Sequence, residues 1–301
     1  MYKRILIPLD GSKTAEQVLP YARYFALKLG IPVEFLGVVD LAALASSVSP
    51  DKARFLNTMI DAGVRASEEY LEKVAQGFSG VATRCTVRKG KAEDTIIEAA
   101  AADRDTLVAM ATHGRTGLNR WVLGSVTEKV LRGASNPLLV IRAGEEGGVA
   151  EPALKSVLVP LDGSELAEGV LGTVVELARI LDLEIILMRA YHVPANTYAG
   201  AEDYYAVNYE EVLASLRDEA RDYLDKITQD LKARGVARVS SVVPEGYAAD
   251  EIIALGRRLP DNLIAMCTHG RSGVRRWVLG SVTERVVRHS GDPVLVLRAK
   301  G

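Results

Sequence analysis

The chain has only two cysteines, Cys85 and Cys267, and neither belongs to a CxxC or a Cys/His cluster. That count argues against a disulfide framework and against a structural zinc site. No run of 18 apolar residues occurs, so no segment is long enough to cross a membrane as a helix. Lysines and arginines form no concentrated block and the formal net charge is −2, so the basic stripe of a nucleic-acid-binding protein is missing. No G-x4-G-K-[ST] sequence is present, which leaves a Walker-type ATPase without support. The opening MYKRILIPLDGS runs into a strand-like segment and lacks a secretory signal's apolar stretch and cleavage site. The expected compartment is the cytoplasm.

What is present is a duplication. Residues 112–143 align without a gap to residues 268–299, with 21 identities in 32 positions. The amino ends repeat as well: ILIPLDGSKTAEQVLP at 5–20 matches VLVPLDGSELAEGVLG at 157–172. The amino-end match has an offset of 152 and the later one of 156, so the second copy carries a net four extra residues between them. The Gly-, Glu- and Pro-containing stretch between the copies reads as a surface linker. The expected organisation is a first domain over 1–143, a linker over 144–155 and a second domain over 156–301. With 48% apolar and 25% charged residues, each half can bury an ordinary core.

Each half alternates short apolar runs with helical periodicity. In the first, strands are expected at Arg4–Leu9, Val33–Val39, Thr83–Arg88, Leu107–Ala111 and Leu138–Ile141, with helices over Ser12–Leu29, up to about Val74, and over Glu93–Ala102. In the second, strands are expected at Ser156–Leu161, Glu184–Ala190, Arg238–Val243, Leu263–Cys267 and Val294–Leu297. Continuous apolar strands separated by helices indicate a mostly parallel sheet covered on both faces. The fold class is α/β: two tandem Rossmann-like domains, each a five-stranded, doubly wound, mostly parallel sheet. The last strands, Leu138–Ile141 and Val294–Leu297, are apolar and expected at sheet edges, where they invite pairing between the halves.

The densest chemical signal follows the fourth strand: Thr112-His113-Gly114, nine residues, then Gly124-Ser125. Gly114 lacks a Cβ to block a ligand's approach to backbone N–H groups. Ser125-Val126-Thr127-Glu128 has the form of a capping box at the start of a helix. A helix amino terminus with unpaired N–H groups is a ready anion site, so the bracketed loop suits a polyphosphate. Arg115 and Arg120 can add charge-assisted contacts, and Gly270, Gly280, Ser281, Arg271 and Arg276 occupy the same places in the second copy. Pro8-Leu9-Asp10-Gly11-Ser12 ends the first strand, and in a doubly wound sheet ligands lie at the carboxyl ends of strands near the switch in strand order. If strands one and four are neighbours, Asp10 and the glycine loop face one crevice. Asp10 then has two readings, an acceptor for ribose hydroxyls or a residue that only begins the next helix.

Each half resembles a universal stress protein domain. PLDGS at 8–12 and 160–164, the G-x9-G-S loops at 114–125 and 270–281, and the closing NPLLVIR and DPVLVLR carry the resemblance over nearly the whole chain. It implies an adenine nucleotide α-hydrolase-like fold and, for the branch with the motif G-x2-G-x9-G-[S/T], binding of ATP for regulation. By position, phosphates would be held by Gly114, Gly124 and Ser125, and by Gly270, Gly280 and Ser281; Ala111, Arg115, Val126 and Thr127, with Cys267, Arg271, Val282 and Thr283, belong to the same expected nucleotide-binding set. Asp10 and Asp162 would meet the ribose, Val38 and Ala190 the adenine through backbone, and Pro8 and Pro160 would line the pocket. The first motif glycine is replaced by Ala111 and by Cys267. ATP with or without Mg2+ is the expected cofactor, with AMP and cyclic AMP as further candidates. No catalytic residue and no metal ligand is expected. Single domains of this family commonly dimerise through the last strand, so internal pairing of the two halves or a homodimer is implied.

Other residues carry less. His113 and His269 can act as bases or fix the loop, and no nucleophile with an orienting partner accompanies them. Cys85 and Cys267 lie in strand-like segments, where buried inert thiols are the norm. Trp121 and Trp277 read as packing groups. Tyr191, Tyr198, Tyr204, Tyr205 and Tyr209 form either a lid or an ordered loop. Three functions remain in contention: an ATP-binding regulator, an interaction protein that binds no nucleotide, and a slow ATP hydrolase.

Overall fold

The computed structural model describes residues 1–41, 55–112, 123–143, 151–193, 209–268 and 279–298. Its strands are β1 (Arg4–Leu9), β2 (Val33–Val39), β3 (Thr83–Lys89), β4 (Thr106–Ala111), β5 (Leu138–Ile141), β6 (Ser156–Pro160), β7 (Glu184–Met188), β8 (Val239–Val242), β9 (Asn262–Cys267) and β10 (Val294–Leu297). Two compact units emerge, one of Met1–Ala153 with Arg275–Leu279 and Pro293–Arg298, the other of Leu154–Val274, Gly280–Asp292 and Ala299–Gly301.

In the first unit the strand order is β3-β2-β1-β4-β5, with every pair among these parallel. β10 then adds to β5 antiparallel, Leu295 opposite Leu139. The expected pairing of the two last strands is therefore present, and β5 is an interior strand rather than an edge. Every residue of β4, β5 and β10 is buried, as the apolar runs require. β3 is an edge strand and carries the polar sequence TRCTVRK, which blunts association through its open side. Phe25 and Phe35 are fully buried, and Phe35 meets Phe78 edge-on at 5.0 Å between ring centres. Each such ring contributes roughly 1.5–3 kcal/mol of burial. The second unit repeats the order as β8-β7-β6-β9, again parallel.

The single helix expected over Ser12–Leu29 is two helices, Lys13–Glu16 and Leu19–Leu29. Pro20 has no N–H to donate, and the chain bridges the gap with tighter bonds from Gln17 N–H to the Thr14 carbonyl and from Val18 N–H to the Ala15 carbonyl. The second copy breaks likewise into Glu165–Glu168 and Leu171–Leu181, where the poor helix formers Gly169 and Gly172 occur. Gly30 closes the longer helix at φ +65°, and Asp182 takes the left-handed position in the second copy at φ +56°. Arg4–Leu9, Val33–Val39, Leu138–Ile141 and Val294–Leu297 match expectation at both ends, and the other strands differ by one or two residues. The largest shift is at β7, which stops at Met188 and leaves Ala190 outside the strand.

Candidate functional site

β1 and β4 are neighbours in the first unit, with Arg4, Ile5 and Leu6 opposite Thr106, Leu107 and Val108. β2 and β3 lie to one side of this pair and β5 to the other, so the strand order reverses between β1 and β4. Their carboxyl ends open the crevice where ligands of doubly wound sheets bind. Leu9 ends β1 and Asp10 follows it, while Ala111 ends β4 and Thr112 follows it. β6 and β9 stand in the same relation in the second unit.

Asp10 is half-buried, and its Oδ1 accepts from the backbone N–H of Ser12 at 2.9 Å and from the Ser12 hydroxyl at 2.6 Å. The turn needs Gly11 at φ +80°. Ser12 in turn caps the first helix by accepting from Ala15 N–H. Asp162, Gly163 and Ser164 repeat every one of these features. Asp10 and Asp162 thus organise the start of a helix whatever else they do.

After β4 the chain returns as a nine-residue helix, Ser125–Gly133. The capping-box expectation is corrected here. Gly124 is the N-cap, Ser125 is the first helical residue, and no side chain caps the helix. Glu128 is therefore one position too far along to close a box, and it bonds Arg132 instead. The first intrahelical bond runs from Glu128 N–H to the Gly124 carbonyl, so the N–H groups of Ser125, Val126 and Thr127 have no acceptor within the helix. Ser125 is exposed and Val126 half-buried. In the second copy, Gly280 is the N-cap of Ser281–His289 and the pattern is the same.

Two bonds fix this amino terminus to the end of the strand. Gly124 N–H donates to the Thr112 carbonyl at 2.7 Å, and the buried Thr127 hydroxyl donates to the Ala111 carbonyl at 2.9 Å. The counterparts are Gly280 to Thr268 at 2.8 Å and Thr283 to Cys267 at 2.8 Å. Gly124 adopts φ −58° and ψ 141°, a conformation open to any residue. Ala111 and Cys267 are buried at the ends of β4 and β9.

Pro8, one residue before the end of β1, and Pro160, the last of β6, are half-buried, and Val38 is half-buried in β2 opposite Arg88. Ala190 is half-buried just past β7. His113, Gly114, Arg115, Arg120 and Trp121, with His269, Gly270, Arg271, Arg276 and Trp277, lie outside the described residues, as do Tyr198, Tyr204 and Tyr205. Among the described residues no cluster of His, Cys, Asp or Glu is arranged to hold a metal ion. A groove of about 520 Å³ between the Leu19–Leu29 and Leu56–Ala75 helices is lined by Gly11, Glu16, Arg23, Tyr70 and Lys73.

Both copies share a tyrosine–glutamate pair that joins the long helix to the short first helix. Tyr70 donates to Glu16 at 3.0 Å, and Tyr223 donates to Glu168 at 2.8 Å. Burial and the Glu168 carboxylate push the Tyr223 phenol well above its ordinary range, and the Asp162 charge adds to the shift. Arg189 stacks on the Tyr223 ring at 4.9 Å and pairs with Glu219. Matching tyrosines in the long helices of the two repeats were the available signal.

A duplicated, doubly wound α/β chain with a helix amino terminus tied to the fourth strand of each repeat defines the class. The universal stress protein family model matches residues 1–142 and again residues 153–298. The chain belongs to that family. A universal stress protein of Methanocaldococcus jannaschii is 29% identical over 161 residues, covering 53% of this chain and 87% of the relative. One from Mycolicibacterium smegmatis is 22% identical over 299 residues, 98% of this chain and 97% of the relative. The crystal structure of a universal stress protein from Archaeoglobus fulgidus superposes with a TM-score of 0.73 at 23% identity and covers 99% of both chains, a likeness of fold.

Proposed function

We propose that the chain binds an adenine nucleotide, ATP in the first instance, at one site in each repeat, and that occupancy regulates rather than drives a reaction. The carrying observation is the helix amino terminus held at the switch in strand order by paired bonds, repeated in both copies. Three backbone N–H groups and the positive end of a helix dipole suit phosphate oxygens. The half-buried Pro8 and Val38, with Pro160 and Ala190, supply the apolar walls that a base requires. In this reading Gly114 and Arg115, Gly270 and Arg271 complete the phosphate cradles from the intervening loops. Ser125 and Ser281 offer hydroxyls, while Thr127 and Thr283 contribute backbone N–H only, because their hydroxyls are engaged. Asp10 and Asp162 meet the ribose while holding their turns. The repeats are taken as 1–143 and 156–301, joined by 144–155. Any Mg2+ would arrive with the phosphates.

The test is to denature purified protein, identify released nucleotide by mass, and titrate the emptied chain with ATP, AMP, cyclic AMP and adenosine by calorimetry. Two equivalents of ATP bound more tightly than adenosine are expected. No binding would favour the interaction-protein reading. Repeated-turnover phosphate release would favour a hydrolase.

A further inference from the structure

The helix Ser125–Gly133 is fixed at both ends, and the carboxyl end is fixed by the residue that follows a strand of the second repeat. Arg298 follows β10, which lies in the first unit beside β5. Its guanidinium donates through Nε to the Ala134 carbonyl at 2.7 Å, and through one terminal nitrogen to the Leu131 carbonyl at 2.6 Å and the Arg132 carbonyl at 2.9 Å. These are last-turn carbonyls that a helix cannot satisfy internally. The guanidinium fork suits such a cluster, and its charge lies at the negative end of the dipole. Arg132, in the same last turn, is paired with Glu128.

We propose that Arg298 is a positioning residue of the first nucleotide site, so that the second repeat completes the phosphate cradle of the first. The inference rests on the nucleotide reading above. A nine-residue helix spans about 13 Å, little more than two turns. Fraying of its last turn therefore reaches the Ser125–Thr127 amides within about one further turn. A cation at one end and phosphates at the other stabilise the same dipole. Phosphate binding at this helix thus depends on a side chain some 170 residues away in sequence, and tandem duplication has a consequence for the site itself.

The experiment uses the full chain with Arg298→Ala, Arg298→Gln and Arg298→Lys, checked for folding by circular dichroism. Each is titrated with ATP and with adenosine, and ATP-induced protection of backbone amides is read by hydrogen exchange in peptides covering 123–134 and 279–290. Arg298→Ala and Arg298→Gln should weaken one of the two ATP equivalents about fivefold. ATP protection should fall in the first peptide and not the second, with adenosine affinity unchanged. Arg298→Lys should lie between, having the charge without the fork. Equal losses for ATP and adenosine would make Arg298 merely structural and overturn the proposal, and so would equal losses at both sites or unchanged ATP binding. A parent chain that binds no ATP overturns the reading beneath it, which separates the two failures.

Discussion

Thr127 donates its hydroxyl across 2.9 Å to the carbonyl of Ala111, joining the first turn of a helix to the last residue of the strand before it. Thr283 does the same to Cys267 at 2.8 Å. In both copies the threonine engages the carbonyl of the strand's last residue, alanine in one and cysteine in the other.

Thr127→Val keeps the shape and removes the donor, leaving a buried carbonyl unpaired. The expected loss of stability is about 1–3 kcal/mol, read by thermal unfolding. ATP affinity at one site should fall several-fold, because the Thr127 amide is no longer held in the cradle. Thr127→Ser retains the hydroxyl and should retain both properties. A valine variant with parental ATP affinity would show that the latch has no part in the site.

Gly124→Val and Gly280→Val address the cradle directly. The observed dihedrals at both positions admit a side chain, so folding should survive, as circular dichroism can verify. A branched side chain at the N-cap crowds the approach to the three amides beyond it. Each contact between an amide and a charged oxygen is worth about 1.5–3 kcal/mol, so ATP should weaken by well over tenfold per altered site. If the folded double variant bound ATP as the parent does, the glycines would be turn residues and no more.

These positions show which parts of the molecule could be read from residues alone. Apolar runs such as LLVI and VLVL announced strands correctly, because burial on both faces leaves a continuous apolar signature. The alternation left the strand order open, and the adjacency of strands one and four, which entered only as a condition, is met in the sheet. The helix start was misplaced by one residue, because the serine after a glycine has the composition of a cap but here the glycine takes the capping place. The cap that Arg298 provides was illegible, since it joins residues more than 160 positions apart. The Arg4–Glu34 pair, which Thr86 and Thr106 support across the amino ends of the strands, was equally hidden. Local pattern carries no information about such partners.

Asp10 has a structural duty that confounds a simple deletion. Asp10→Ala removes the acceptor of both Ser12 bonds, so it should destabilise the first helix by about 1 kcal/mol as well as alter the ribose contact. Asp10→Asn keeps an acceptor oxygen and removes the charge. Stability should then stay near the parent while nucleotide affinity falls by a smaller factor than in the Gly124 variant, since water can replace part of a ribose contact. Paired thermal and calorimetric measurements on the two variants separate the roles. Unchanged ATP affinity in Asp10→Ala would remove Asp10 from the site.

Asp292 and Asn136 occupy equivalent positions in the two repeats, each just before the proline that precedes a last strand. Asn136 is buried and donates to the carbonyl of Asp103 at 3.0 Å, with longer contacts to those of Arg104 and Thr106. Burial against the Ala248–Arg258 helix raises the Asp292 carboxyl above its usual range, with the Ser290 hydroxyl opposing the shift. A carboxyl raised by folding holds its proton more tightly in the folded state. It therefore withdraws stability as pH rises from the ordinary carboxylate range through the raised value, and the penalty is constant above that. Asp292→Asn abolishes this dependence and supplies an amide donor like that of Asn136. At pH 7 the variant should gain about 1 kcal/mol, or roughly 2–4 °C in Tm, with the advantage shrinking as pH falls through the raised value and gone below the ordinary carboxylate range. Thermal unfolding of parent and variant across pH 3–8 decides it. An asparagine variant no more stable at pH 7 than the parent would mean that Arg257 and Ser290 already compensate the buried charge.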